Sequence, residues 1–316
     1  MKKKIGLIVI IIIVIGVVAS FFITTNTQTS IIIHSSVLTT VKELATPAEW
    51  EKWHPAVSAA CANDKACTVN TDNAAKKFTI QYAQNNINVL NGGLSFVVTE
   101  TNSQQTEAYS YNAVPSLHDD STTVVVVTPV TLFHSLFTSS VDRPKAVVAI
   151  DSLKNFIEKP EKFYGFKMEL RPVIDTIVVI TRKKTTVNNR MAELQTMKKD
   201  IEAFIHANGL IKMPITMVHH QALGKDSVEM MMGVPVNRIF PAKGSVSFLQ
   251  MPKGRMVVLY YKGSFSGRMA AYKAMDRFIA DNSLRPIAVI YERYLNNSFP
   301  ASEDSQIDIE LCYPVI

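Results

Sequence analysis

Val178-Val179-Ile180, Arg190-Met191-Ala192, Phe204-Ile205-His206-Ala207-Asn208-Gly209-Leu210 and Val234-Pro235-Val236 follow one another in the second half of this chain. A second series answers them in the same order: Val257-Val258-Leu259, Arg268-Met269-Ala270, Phe278-Ile279-Ala280-Asp281-Asn282-Ser283-Leu284 and Tyr313-Pro314-Val315. Aligning the two needs a gap just before the second block, a gap of about a helical turn before the third, and a compensating gap of similar length before the fourth. Chance supplies one such match easily, but not four in order, so the segment is an internal repeat.

Each copy reads strand, helix, strand, strand. Met191, Leu194, Met197, Ile201, Phe204 and Ile205 recur at helical spacing, as do Met269, Tyr272, Met275, Phe278 and Ile279. Asn208-Gly209 and Asn282-Ser283 supply the stops. The strand-like runs are 177–180, 215–219 and 228–236 in the first copy, and 256–261, 287–294 and 307–313 in the second. A unit of this kind has an open sheet, and pairing two of them leaves a groove between quasi-equivalent halves, an ordinary location for a small-molecule site.

The repeat carries Lys262-Gly263-Ser264-Phe265 ahead of its second helix, then Tyr291-Glu292-Arg293-Tyr294, and closes on Glu310-Leu311-Cys312-Tyr313-Pro314-Val315. With these motifs, residues 169–316 resemble the GyrI-like small-molecule-binding domain, the effector-binding half of AraC- and MerR-type regulators. The resemblance implies that Glu292 sits in the groove among aromatic rings and takes cationic or polar ligands with apolar bodies. Strand alternation puts Glu292 and Tyr294 on one face and Tyr291 and Arg293 on the other. A carboxylate beside tyrosines suits a flat cation, through Coulomb attraction and cation–π contact. The expected ligand-binding residues are Glu292, Tyr294, Tyr260, Phe265 and Tyr272, with Tyr261 and Tyr313 as further lining. The plain alternative is a glutamate on a sheet surface paired with Arg293 or Arg285. Some members of the family hydrolyse strained electrophiles with that glutamate, so a hydrolase acting at Glu292 is the rival function. No second catalytic group can be named, and no catalytic residue is assigned.

Composition bounds the remainder. At 316 residues the chain is long for one core and suits two domains. Its net charge of +6 includes Lys2, Lys3 and Lys4, which leaves about +3 for everything else. With 19% charged residues and no helix-turn-helix pattern, it lacks the basic footprint of a nucleic-acid binder. No metal-binding, phosphate-cradling or nucleophile-elbow motif is complete. Gly263-Ser264-Phe265-Ser266-Gly267 has the outer glycines of a nucleophile elbow but a phenylalanine at its centre. His219 and His220 are adjacent in a strand and face opposite ways, so they cannot share a metal. No cofactor or metal is expected.

Residues 5–23 are almost wholly apolar, and nineteen residues in a helix span roughly 28 Å, close to a bilayer core. Lys2–Lys4 in front and the polar run 24–30 behind imply an uncleaved single-pass membrane anchor. The N-terminus would be cytoplasmic and the domains on the exported side of the cell membrane. A cleaved signal peptide and a buried core helix are the alternatives. The fold class expected is therefore α+β: residues 1–30 as membrane anchor and linker, 31–168 as one domain and 169–316 as the repeat.

In the segment 31–168, residues 34–44 read as a helix, followed by Trp50-Glu51-Lys52-Trp53-His54-Pro55 and strand-like runs at 78–82, 94–100, 107–114 and 122–133. A helical stretch closes it at Ser152-Leu153-Lys154-Asn155-Phe156-Ile157-Glu158. This order resembles the SRPBCC (START-like, polyketide-cyclase-like) fold, a helix-grip around an apolar cavity. Membrane-anchored bacterial proteins with such a domain ahead of a GyrI-like one form a known architecture that this chain is similar to. The alternative is an antiparallel α+β domain with Trp50 and Trp53 as ordinary core anchors. The function expected is non-enzymatic binding of an amphipathic or cationic small molecule, including lipids. A protein with degenerate, filled pockets is the remaining possibility. Cys61 and Cys67 are spaced for a local disulfide or for two free thiols, and Cys312 reads as a small core residue.

Overall fold

The structure is a computed structural model describing residues 13–63, 67–117, 120–133, 143–174, 177–242, 244–296 and 299–316. They form two compact units, Met1–Lys159 and Pro160–Ile316. Each is built around one large antiparallel sheet.

The first unit has seven strands: β1 Thr24–Ile33, β2 Thr68–Asp72, β3 Lys77–Tyr82, β4 Asn85–Asn91, β5 Ser95–Thr101, β6 Thr106–Pro115 and β7 Thr122–Thr131. The order β1-β7-β6-β5-β4-β3-β2 is a meander with β1 added antiparallel to β7 at one edge. Helices α1 Val37–Ala45, α2 Pro47–Trp53, α3 Pro55–Asn63 and α4 Lys145–Ile157 accompany the sheet. Trp50 and Trp53 are both buried in the core. The Trp50 indole donates to the Leu44 carbonyl (3.0 Å) and the Trp53 indole to that of Glu43 (3.4 Å), so both rings tie α2 to the end of α1. A disulfide joins Cys61 and Cys67.

The expected N-terminal transmembrane helix is overturned. Residues 13–20 are helical, a turn occupies 21–22, and the chain enters β1 at Thr24. The run expected as a polar linker, 24–30, is the first part of a ten-residue strand hydrogen-bonded along β7. No helix among the described residues is long and apolar enough to cross a membrane. Lys2–Lys4 and the first part of the apolar stretch, residues 5–12, lie outside the described residues. The fold class is a mixed, sheet-rich one, with two antiparallel sheets and their helices.

The second unit begins with a short helix, α5 Pro160–Phe163, and holds eight strands: β8 Met168–Pro172, β9 Ile177–Thr186, β10 Thr216–Ala222, β11 Ser227–Pro235, β12 Val246–Gln250, β13 Arg255–Ser264, β14 Tyr291–Tyr294 and β15 Gln306–Val315. Its long helices are α6 Arg190–Ala207 and α7 Arg268–Asp281. The order β12-β9-β11-β10-β14-β15-β13-β8 is pseudo-symmetric about the β10–β14 pair. Each half also exchanges a leading strand: β8 flanks β13 of the second copy, and β12 flanks β9 of the first. The sequence expectation had neither edge strand. It also ran a strand through 287–294, whereas β14 is limited to four residues after Pro286.

Alternation along the strands splits the apolar residues into two layers. Val179, Val218, Met230, Met232, Leu259, Tyr294 and Leu311 join α6 and α7 in the main core, through Leu194, Met197, Ile201 and Met275. Val178, Ile180, Met217, Val258, Tyr291 and Cys312 form a second cluster on the opposite face. The two long helices end alike. The Asn208 amide donates to the Phe204 carbonyl and the Asn282 amide to that of Phe278, both at 2.8 Å. Gly209 (φ 58°) and Ser283 (φ 53°) then take the left-handed conformation that releases the chain.

Candidate functional site

Glu292 lies on the short central strand β14, pointing to the helix face of the sheet. It is fully buried. Its Oε1 accepts from Arg268 Nε (2.7 Å) and from the Tyr272 hydroxyl (2.9 Å), and its Oε2 accepts from the Tyr294 hydroxyl (2.7 Å). His220 Nε2, from neighbouring β10, lies 3.5 Å from Oε2. The strand pairing explains the convergence, because β14 lies between β10 and β15 and Val218 is opposite Glu292. Arg268 and Tyr272, one turn apart in α7, share one face of that helix.

Burial alone would raise the Glu292 carboxyl. Instead His220, Arg268 and the Tyr294 hydroxyl together hold it well below the usual carboxylate range. The same carboxylate acts in reverse on its neighbours. Burial first, and then its charge and hydrogen bonds, push the Tyr272 and Tyr294 hydroxyls far above an ordinary tyrosine. The site is thus an ionised carboxylate ringed by neutral phenols and closed by one guanidinium.

Phe265 forms its wall. It is fully buried, with the Arg268 guanidinium carbon 3.3 Å from its ring centroid and that of Arg190 at 5.0 Å. Arg268 Nη1 also donates to the Phe265 carbonyl (2.6 Å), and the His220 ring meets Phe265 edge-on at 6.0 Å. Arg190 is paired with Glu303. The Gly-Ser-Phe-Ser-Gly stretch has a packing explanation. The Tyr261 hydroxyl donates to the Ser264 carbonyl (2.6 Å), and a Cβ on either Gly263 or Gly267 would stand 2.7 Å from that hydroxyl.

Of the five residues expected to bind ligand, Glu292, Tyr294, Tyr272 and Phe265 converge on this site. Tyr260 does not. It points to the opposite face, where its hydroxyl donates to Glu169 (2.8 Å) and Lys167 and Arg171 flank its ring. The partner of Glu292 is neither Arg293, which bonds Glu310 (2.9 Å), nor Arg285, but Arg268. Sequence reasoning missed Arg268 and His220. Arg268 had a signal, since it heads the second copy of Arg-Met-Ala. His220 had only its alternation with His219. Among the described residues no cluster of His, Cys, Asp and Glu could hold a metal ion.

This geometry belongs to a segment with a recognisable family. Residues 167–316 match the profile of the GyrI-like small molecule binding domain. The second unit is a GyrI-like domain. Solved structures are similar to parts of the chain at low identity. The EcmrR C-terminal domain is 17% identical, with 48% of this chain and 98% of that one covered at a TM-score of 0.40. A hydrolase from Listeria innocua is 15% identical, covering 51% and 98% at 0.37. A START superfamily protein from Mycobacterium smegmatis is 14% identical, covering 42% and 94% at 0.28. No curated protein sequence matches the chain.

Proposed function

We propose that the GyrI-like domain binds a flat organic cation at Glu292, with Arg268 holding the cation's place when the site is empty. The observation that carries this is the Arg268–Glu292 pair itself. A buried carboxylate cannot stand alone, because desolvating an unpaired charge costs several kcal/mol. Arg268 supplies the positive charge, and its guanidinium carbon sits 3.3 Å from the Phe265 ring centroid, where an aromatic cation would sit. A ligand cation entering between Tyr272, Tyr294 and Phe265 satisfies the same carboxylate and releases the arginine. Hydrolysis is the weaker reading. A carboxylate held this acidic, accepting three hydrogen bonds, is a poor general base near neutral pH.

The test is a thermal-shift and calorimetric titration of the full chain with ethidium as the probe cation. Binding is expected to be lost in Glu292→Gln and strengthened in Arg268→Met, which removes the competitor at similar volume. Equal affinity in the wild type and both variants would sink the proposal.

A further inference from the structure

The face of the second sheet opposite α6 and α7 holds a cavity of about 340 Å³. Its walls are apolar and rich in sulfur: Ile180, Met217, Met231, Met251 and Tyr291 contribute, and residues 287–289 close one side. That size lies within the usual range for small-molecule pockets. Methionines give it an adaptable, polarisable lining. A smaller space of about 270 Å³ adjoins it and shares His219, Met231 and Leu249.

His219 is the polar group at the junction of the two spaces. Its Nδ1 lies 2.7 Å from the Ile290 carbonyl oxygen. A carbonyl only accepts, so Nδ1 carries the ring proton and Nε2 is left with a lone pair. Among the described residues no protein group bonds to Nε2. The imidazole is kept uncharged by the same surroundings, since burial lowers its affinity for a proton. The cavity therefore presents an apolar body site with a fixed acceptor at His219, and Gln250 at its lining.

We infer that this cavity is a second ligand site, distinct from the Glu292 site, and that it takes an uncharged molecule with an apolar body and a hydroxyl group donating to His219 Nε2. The two sites differ in chemistry because the strand alternates. His220 faces the buried carboxylate, and His219 faces the methionine-lined cavity. A cation is disfavoured here, because no carboxylate lines the larger space.

Calorimetric titration of the full chain with 2-naphthol, and in parallel with its methyl ether, tests the inference. The wild type is expected to bind 2-naphthol saturably and about five-fold more tightly than the ether, the ratio of one net neutral hydrogen bond. His219→Phe should remove that preference while leaving ether binding in place. Met217→Trp, or Met231→Trp if the first does not fold, should fill the cavity and weaken both probes at least ten-fold. Glu292→Gln should change neither. No saturable binding, a preference that survives His219→Phe, affinity unaltered by the filling variants, or loss of binding in Glu292→Gln would each overturn it.

Discussion

Arg190 and Arg268, the first residues of the two repeat helices, both direct their guanidinium groups at the ring of Phe265, at 5.0 and 3.3 Å from its centroid. The pseudo-two-fold symmetry brings equivalent positions to one aromatic ring and then gives them different partners. Arg190 goes out to Glu303, while Arg268 goes in to Glu292. The two copies share a frame, and the inward arginine of the second copy alone meets the buried Glu292.

Removing the inner arginine should be costly. Arg268→Met leaves Glu292 buried without its main cation, a change that typically destabilises by about 3–5 kcal/mol. Chemical denaturation should show that loss, and Arg268→Met combined with Glu292→Gln should recover much of it. Independent, additive effects would contradict the pairing.

Acid should weaken the second unit through the same group. The folded Glu292 carboxyl is held below its ordinary value of 4.5. Below that value the unfolded chain takes up a proton that the folded site refuses. Stability from this group is thus fully present above pH 4.5 and is lost progressively as pH falls. Glu100 is shifted the same way: burial would raise it, but the nearby His54 ring and the hydrogen bond from Tyr109 prevail. Melting temperatures measured from pH 6 to pH 3 should fall less steeply in Glu292→Gln than in the wild type. Parallel curves would remove Glu292 from the account.

Thiol counting checks the cysteines. Cys312 is fully buried, and burial pushes its thiol up to about 12. Cys61 and Cys67 are joined. Ellman titration should find no reactive thiol in the native protein, one after denaturation without reductant, and three after denaturation with it.

Gly233 on β11 is required by close packing. A Cβ there would sit 2.6 Å from Val178 Cγ1. Gly233→Ala should cost about 1–3 kcal/mol through overpacking. Adding Val178→Ala, which removes the clashing methyl, should return part of it. A double variant no better than the sum of the two single ones would reject this contact as the cause.

Ser283 holds a left-handed conformation that Gly209 occupies at the equivalent turn. Ser283→Gly should therefore stabilise the protein by about 0.5–1 kcal/mol, read as a rise in denaturation midpoint. A decrease would show that the serine side chain contributes more than its backbone strain costs.

Much of the second unit was legible in the chain because its signals are local. Helical spacing from Met191 to Ile205, the Asn stops, and strand alternation at Tyr291-Glu292-Arg293-Tyr294 each depend on near neighbours. The first unit was less legible at its edges. β1 is made of threonines, Asn26 and Gln28 for most of its length, and only pairing with β7 makes it a strand. β2, Thr-Val-Asn-Thr-Asp, is exposed throughout and carries no alternation, and β4 alternates only through Ile87 and Val89 within a run of asparagines.

The sequence by itself determined which residues lie on each face of each element, and hence that Glu292 and Tyr294 share a side while His219 and His220 do not. Periodicity fixes this one strand or helix at a time. Only the tertiary structure decided partners across elements. It chose Arg268 over Arg285 and Arg293 for Glu292, turned Tyr260 away from the site, exchanged β8 and β12 between the repeats, and opened a cavity behind His219. Those outcomes depend on register between strands distant in sequence and on helix placement over the sheet, and no local pattern encodes either.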